Sequence, residues 1–145
     1  MQVRELMHTD PVTLSPGDST ALAARLLSRH NVGALPVCSS DGRLRGIVTD
    51  RDIVLRCIAP EDDPAQTPVR DVMTRGCYTV APEADCAAAA HLMAQRQVRR
   101  LPVVQQGKLV GMLSLGDLAK CRTCDMEASQ ALSEISGNIL RVGKK

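Results

Sequence analysis

The sequence predicts an α+β fold built from two pseudo-symmetric copies of a β-α-β-β-α unit, packed sheet to sheet. Three observations predict it. The chain repeats itself: VRELM at 3–7 returns as VRDVM at 69–73, and NVGALPV at 31–37 returns as QVRRLPV at 97–103. One phrase is written twice, GIVTDRD at 46–52 and GMLSLGD at 111–117. Each copy sets short apolar runs around one amphipathic stretch, the pattern of strands flanking a helix.

The offset between copies is 66 residues, which also carries Thr13 onto Thr79, Pro16 onto Pro82 and Leu26 onto Leu92. One deletion in the second copy reduces the offset to 65, so that DGRLRGIVTDRD (41–52) falls on QGKLVGMLSLGD (106–117). A unit of roughly 60 residues lies close to the range of supersecondary repeats. Residues 1–59 are the first repeat, 60–68 a linker, 69–122 the second repeat, and 123–145 a C-terminal tail with a short helix.

The elements follow in order. VRELM is a short helical turn, and a strand is expected near PVTLS. Pro16-Gly17-Asp18 turns the chain. Residues 19–30 read as a helix with Leu22, Leu26 and Leu27 on one face. ALPVC (34–38) is a short apolar strand, Ser40-Asp41-Gly42 a tight turn, and 44–48 its hairpin partner. The phrase GIVTDRD then ends that strand and opens a helix, DIVLRCI. The acidic, proline-rich segment before Val69 reads as a surface connection. One copy alone has an apolar sheet face and too little mass to cover it.

The doubled phrase supports two interpretations. Thr49-x-x-Asp52 and Ser114-x-x-Asp117 are capping boxes in an acidic variant, each stabilising its helix by about 1 kcal/mol. The same residue types also suit a sugar phosphate. A strand ending at a helix start offers N–H groups and the positive end of a dipole to a phosphate. An aspartate one turn in accepts ribose hydroxyls, a serine or threonine donates to a phosphate or sugar oxygen, and the preceding glycine permits close approach.

Composition narrows the function. In 145 residues, the net charge of +2 gives no argument for nucleic acid or a membrane surface. With one tyrosine and no phenylalanine or tryptophan, the chain lacks stacking platforms for single-stranded nucleic acid. No apolar run approaches a membrane span, and MQVRELMHTD lacks the apolar core of a signal peptide, so the cytoplasm is the expected compartment. No Ser/His/Asp or Cys/His set can be placed, so no enzyme is expected.

The two units, with hLPV before each hairpin and Ghh[ST]xxD after it, resemble a tandem CBS domain pair, the Bateman module. The resemblance covers about residues 1–121, and TDRDI and QVRRLPV look most like the small stand-alone bacterial CBS-pair proteins of the hypoxic-response type. It implies a regulatory protein that requires no cofactor and acts through a partner. Its ligand would be AMP, ADP, ATP or S-adenosylmethionine, held in clefts between the repeats. Carried over residue by residue, one cleft would use Ser114, Asp117 and Met112, with Ser15, Thr20 and the Val32-Gly33-Ala34 backbone on the adenine. The other would use Thr49, Asp52 and Ile47, opposite Ala81, Cys86 and Val98, with Arg51 toward a phosphate. Arg99 and Arg100 stand where the family often carries a cationic phosphate contact; a solvated pair on a strand edge is the competing interpretation. The clefts differ in polar groups, so unequal affinity is expected, with the Asp117 cleft favoured. The resemblance also implies a homodimer through the helices after each phrase, 53–58 and 118–121. A ligand-free structural or interaction module remains the alternative.

Six cysteines with no export signal are expected as reduced thiols. Cys121-Arg-Thr-Cys124 is the remaining motif with chemistry attached. A structural zinc needs four ligands and a second CxxC is absent, so it is a weak metal or thiol-switch candidate. In the tail, Ala128, Leu132 and Ile135 make a weak helical stripe.

Overall fold

Two compact units cut across the sequence repeats. The first-phrase unit comprises Pro11–Cys77 with Gln106–Leu109, and the second-phrase unit comprises Met1–Asp10, Tyr78–Gln105 and the described chain from Val110 onward. The computed structural model describes residues 1–120 and 129–136.

In the first-phrase unit, helix α1 spans Thr20–His30. Ser19 caps it, its hydroxyl accepting from Leu22 N–H at 3.1 Å, and Asn31 ends it in the left-handed conformation. Ala23 and Leu27, four apart, are the apolar positions this helix buries. Strand β1 (Ala34–Cys38) pairs antiparallel with β2 (Leu44–Thr49), with Ala34 opposite Thr49. The strand expected near PVTLS reduces to one residue: Leu14 bridges to Val37 in parallel, its N–H donating to Pro36 and its carbonyl accepting from Cys38. Pro11 and Pro16 bound this segment and leave little room for a longer ladder.

After β2 the expected helix divides. Helix α2 (Asp50–Ile53) runs into a π-turn over Val54–Ile58. The wider turn buries Cys57 and leaves Val54, Leu55 and Ile58 about half exposed. The segment expected to be a plain surface connection is pinned at its end. Thr20 N–H donates to the Thr67 carbonyl at 2.8 Å and Ala21 N–H to that of Pro64 at 2.9 Å. A 3₁₀ turn, Val69–Asp71, follows, and Val69, Val72 and Met73 enter the core with Leu14, Leu35, Val37 and Val48.

The second-phrase unit repeats the plan with the N-terminal segment in the role of 69–73. The 3₁₀ turn Val3–Glu5 buries Val3 against helix α3 (Cys86–Arg96), strand β3 (Arg100–Gln105), strand β4 (Lys108–Ser114) and helix α4 (Leu115–Ala119). Val80 bridges Val103 as Leu14 bridges Val37. A last helix, α5 (129–136), adds Ala131 and Ile135 to this core. The two sheets contain β1–β2 and β3–β4. Among the described residues no helix is long and apolar enough to cross a membrane.

Candidate ligand site

Both capping boxes are formed. Thr49 Oγ1 accepts from Asp52 N–H at 3.0 Å while Asp52 Oδ2 accepts from Thr49 N–H at 3.0 Å. Ser114 Oγ accepts from Asp117 N–H at 3.1 Å while Asp117 Oδ2 accepts from Ser114 N–H at 2.9 Å. The two carboxylates are buried, and each takes a second partner from the segment after a 3₁₀ turn. His8 Nε2 donates to Asp117 Oδ1 at 2.8 Å. Thr74 Oγ1 lies 3.1 Å and 3.2 Å from the two oxygens of Asp52, and Arg56 Nη1 lies 3.7 Å from its Oδ1.

His8 and Thr74 are absent from the residues that the sequence places at the site. The signal is present in the repeat: they are equivalent positions, 66 residues apart. Each segment pairs with the strand that leads into a phrase. His8 and Met112 exchange backbone bonds of 2.9 and 3.0 Å, and Ile47 and Thr74 exchange bonds of 3.0 and 2.8 Å. This pairing accounts for the glycine of each phrase. A Cβ on Gly46 would lie 2.6 Å from the Thr74 carbonyl oxygen, and one on Gly111 2.8 Å from that of His8. The close approach permitted by glycine is that of the chain's own backbone.

The phrases differ at the helix start. Asp50 follows Thr49, and its Oδ1 accepts from Arg51 N–H at 2.8 Å, so the first phrase sets its own carboxylate on an amide of its first turn. Leu115 occupies the equivalent position in the second phrase, with Gly116 next. The residues before β1 and β3 lie beside the phrase of their own unit: Asp50 N–H donates to the Gly33 carbonyl at 3.3 Å, and Leu115 N–H to that of Arg99 at 2.8 Å.

In the second-phrase unit this arrangement leaves a half-open cavity of about 380 Å³. Arg99, Arg100, Ser114 and Ser129 are its polar lining residues, Leu115, Gly116 and Ala119 line it beside them, and Ser129 and Leu132 come from α5. The volume falls within the roughly 300–1,000 Å³ of small-ligand pockets. Two arginines and two serines among partly apolar walls suit a phosphorylated molecule with an apolar ring.

The other expected residues divide between the units. Ser15, Val32, Gly33, Ala34, Ile47, Thr49, Arg51 and Asp52 belong to the first-phrase unit, and Ala81, Val98 and Met112 to the second-phrase unit. Two expectations are corrected. Thr20 is fully buried and its hydroxyl donates to the Thr67 carbonyl at 2.8 Å, so it is a core residue with no face for adenine. Cys86 is fully buried among Val3, Ala89 and Ala90 at the start of α3. The expected dimer surface is corrected in part: Ile53 and Leu118 are core residues of their units, while Val54 and Ile58 are about half exposed.

Burial pushes the thiols of Cys38 and Cys77 above the ordinary cysteine range. Among the described residues no group of three or more histidine, cysteine or acidic side chains is placed to hold a metal. The Cys121–Cys124 pair lies outside the described residues.

Comparison with known proteins agrees with the two-copy fold. The CBS domain family model matches residues 3–58 and 69–123. CBS domain-containing protein YhcV of Bacillus subtilis is 45% identical over 134 residues, covering 92% of this chain and 94% of that protein. Hypoxic response protein 1 of Mycobacterium tuberculosis is 32% identical over 117 residues, 81% of this chain and 82% of that protein. A crystal structure of Hypoxic Response Protein I with two coordinated zinc ions aligns with a TM-score of 0.77, covering 83% of this chain and 98% of that one. A crystal structure of CBSX2 in complex with AMP aligns with a TM-score of 0.72 at 29% identity, covering 82% of this chain and 93% of that one.

Proposed function

Because the chain belongs to the CBS domain family and carries two copies of the domain, we propose that it is a regulatory adenosine-nucleotide-binding protein that acts in the cytoplasm through a protein partner. The observation that carries this reading is the cavity beside the second phrase, with Arg99, Arg100 and Ser114 on its polar side. The arginines hold the phosphate of AMP, ADP or ATP, or the carboxylate of S-adenosylmethionine. Asp117 is buried and off the cavity wall, and its bond to the Ser114 N–H holds Ser114 in place on that wall. The AMP complex of CBSX2, a structural neighbour, supports the choice of ligand.

The first phrase is the weaker site. Asp50 already covers the Arg51 amide, and Thr74 contacts both oxygens of Asp52. A second reading has its own support: both capping boxes are complete without any ligand, as expected of a module that serves only for structure and interaction.

Calorimetric titration of ligand-stripped protein with AMP, ADP, ATP and S-adenosylmethionine separates the two readings. We expect one responsive site. Arg99→Ala should weaken binding tenfold to a hundredfold, reflecting the roughly 1.5–3 kcal/mol of a hydrogen bond to a charged group. Arg99 is exposed, so the melting temperature should hardly move. Asp52→Asn should leave that site intact. Silence toward all four molecules would leave the structural module as the function.

A further inference from the structure

The CBS domain matches end at residue 123, and α5 lies beyond them. It is nevertheless built into the second-phrase unit. Ala131 and Ile135, four apart on one face, are 1% and 5% exposed in the core. Ser129 and Leu132, three apart on an adjacent face, line the cavity that contains Arg99, Arg100 and Ser114. Leu132 is 45% exposed, so its side chain is open to a molecule in that cavity.

We propose that Ser129 and Leu132 of α5 are ligand-contacting residues of the Arg99–Arg100 cavity, so that docking of this helix and binding of a phosphorylated ligand are linked. This rests on the nucleotide reading of the same cavity. Leu132 packs on the apolar ring of the ligand, and Ser129 offers a hydroxyl. Linkage runs both ways: if the docked helix strengthens binding, the ligand holds the helix in place by the same factor. A segment outside both CBS domains thereby becomes the element that changes with occupancy and that a partner can read.

Leu132→Glu and Leu132→Lys in the full chain test this with AMP as the probe. Both replace a half-exposed leucine with a charged residue, and melting temperatures should match each other. A charge placed at 132 on the cavity wall lies within the field of the bound phosphate, so the Lys variant should bind AMP at least tenfold more tightly than the Glu variant. Hydrogen exchange of 129–136 should slow when AMP is added to wild-type protein. Equal affinity of the two variants, with wild-type protein binding AMP, overturns this inference and leaves the nucleotide reading standing. Unchanged exchange of α5 under saturating AMP overturns the linkage. Failure of wild-type protein to bind AMP overturns both.

Discussion

Gly46 and Gly111 show how one missing Cβ organises a phrase. Each lies where a neighbouring segment pairs with the strand, and a methyl there would meet a carbonyl oxygen at 2.6 or 2.8 Å. Gly46→Ala and Gly111→Ala should each destabilise the protein by about 1–3 kcal/mol through overpacking, read as a lowered melting temperature. Gly116→Ala is the control, since its Cβ would sit an ordinary 3.7 Å from Ser114 Oγ; a melting temperature as low as that of Gly111→Ala would sink the explanation. The residue scale is half legible in sequence. The pattern Ghh[ST]xxD announces the cap, because capping is a local geometry with a fixed spacing. The partners of the carboxylates are not announced: His8 is 109 residues from Asp117, and no local pattern encodes a contact at that range.

Elements with strong local signals have the expected ends or nearly so. The helix expected over 19–30 is Thr20–His30 with Ser19 as its cap, and the strand expected over 34–38 is Ala34–Cys38. The stretch after the first phrase is less legible. DIVLRCI has helical composition, but a π-turn widens it and shifts which side chains face out. Val54, Leu55 and Ile58 are therefore the exposed apolar set, while Ile53 is 7% exposed and Leu118 fully buried. A homodimer of this chain would use that exposed set of the first-phrase unit. Wild-type protein should sediment as a dimer at micromolar concentration. Val54→Glu with Ile58→Glu should convert it to a folded monomer, since both side chains are about half exposed within their own unit. A wild-type monomer, or a double variant that still dimerises, would rule the surface out.

At the scale of the molecule the repeat in the sequence and the unit in the fold are different objects. The offset of 66 residues places VRELM and VRDVM at the head of each copy. Yet Val3 packs with α3 and β3, whereas Val69, Val72 and Met73 pack with α1, β1 and β2. Sequence repetition reveals equivalence and says nothing about which copy receives each head segment, because the two heads present nearly the same side chains. The assignment has a measurable consequence for the first-phrase unit. A fragment of residues 11–77 keeps Val69 and Val72, both fully buried, and Met73, 7% exposed. It also keeps Thr74 on Asp52. A fragment of residues 1–59, cut as the repeat suggests, loses all four and retains Val3, whose fellow buried core residues, from Cys86 onward, lie outside it. Removing a buried valine or methionine side chain forfeits about 1.5–3 kcal/mol each, and three of them approach the whole stability of a domain this small. The 11–77 fragment should therefore show a cooperative thermal transition by circular dichroism, while 1–59 should melt without one. If 1–59 unfolds as cooperatively as 11–77, the head segments contribute little to the cores, and the division of the chain at Pro11 and Cys77 is wrong.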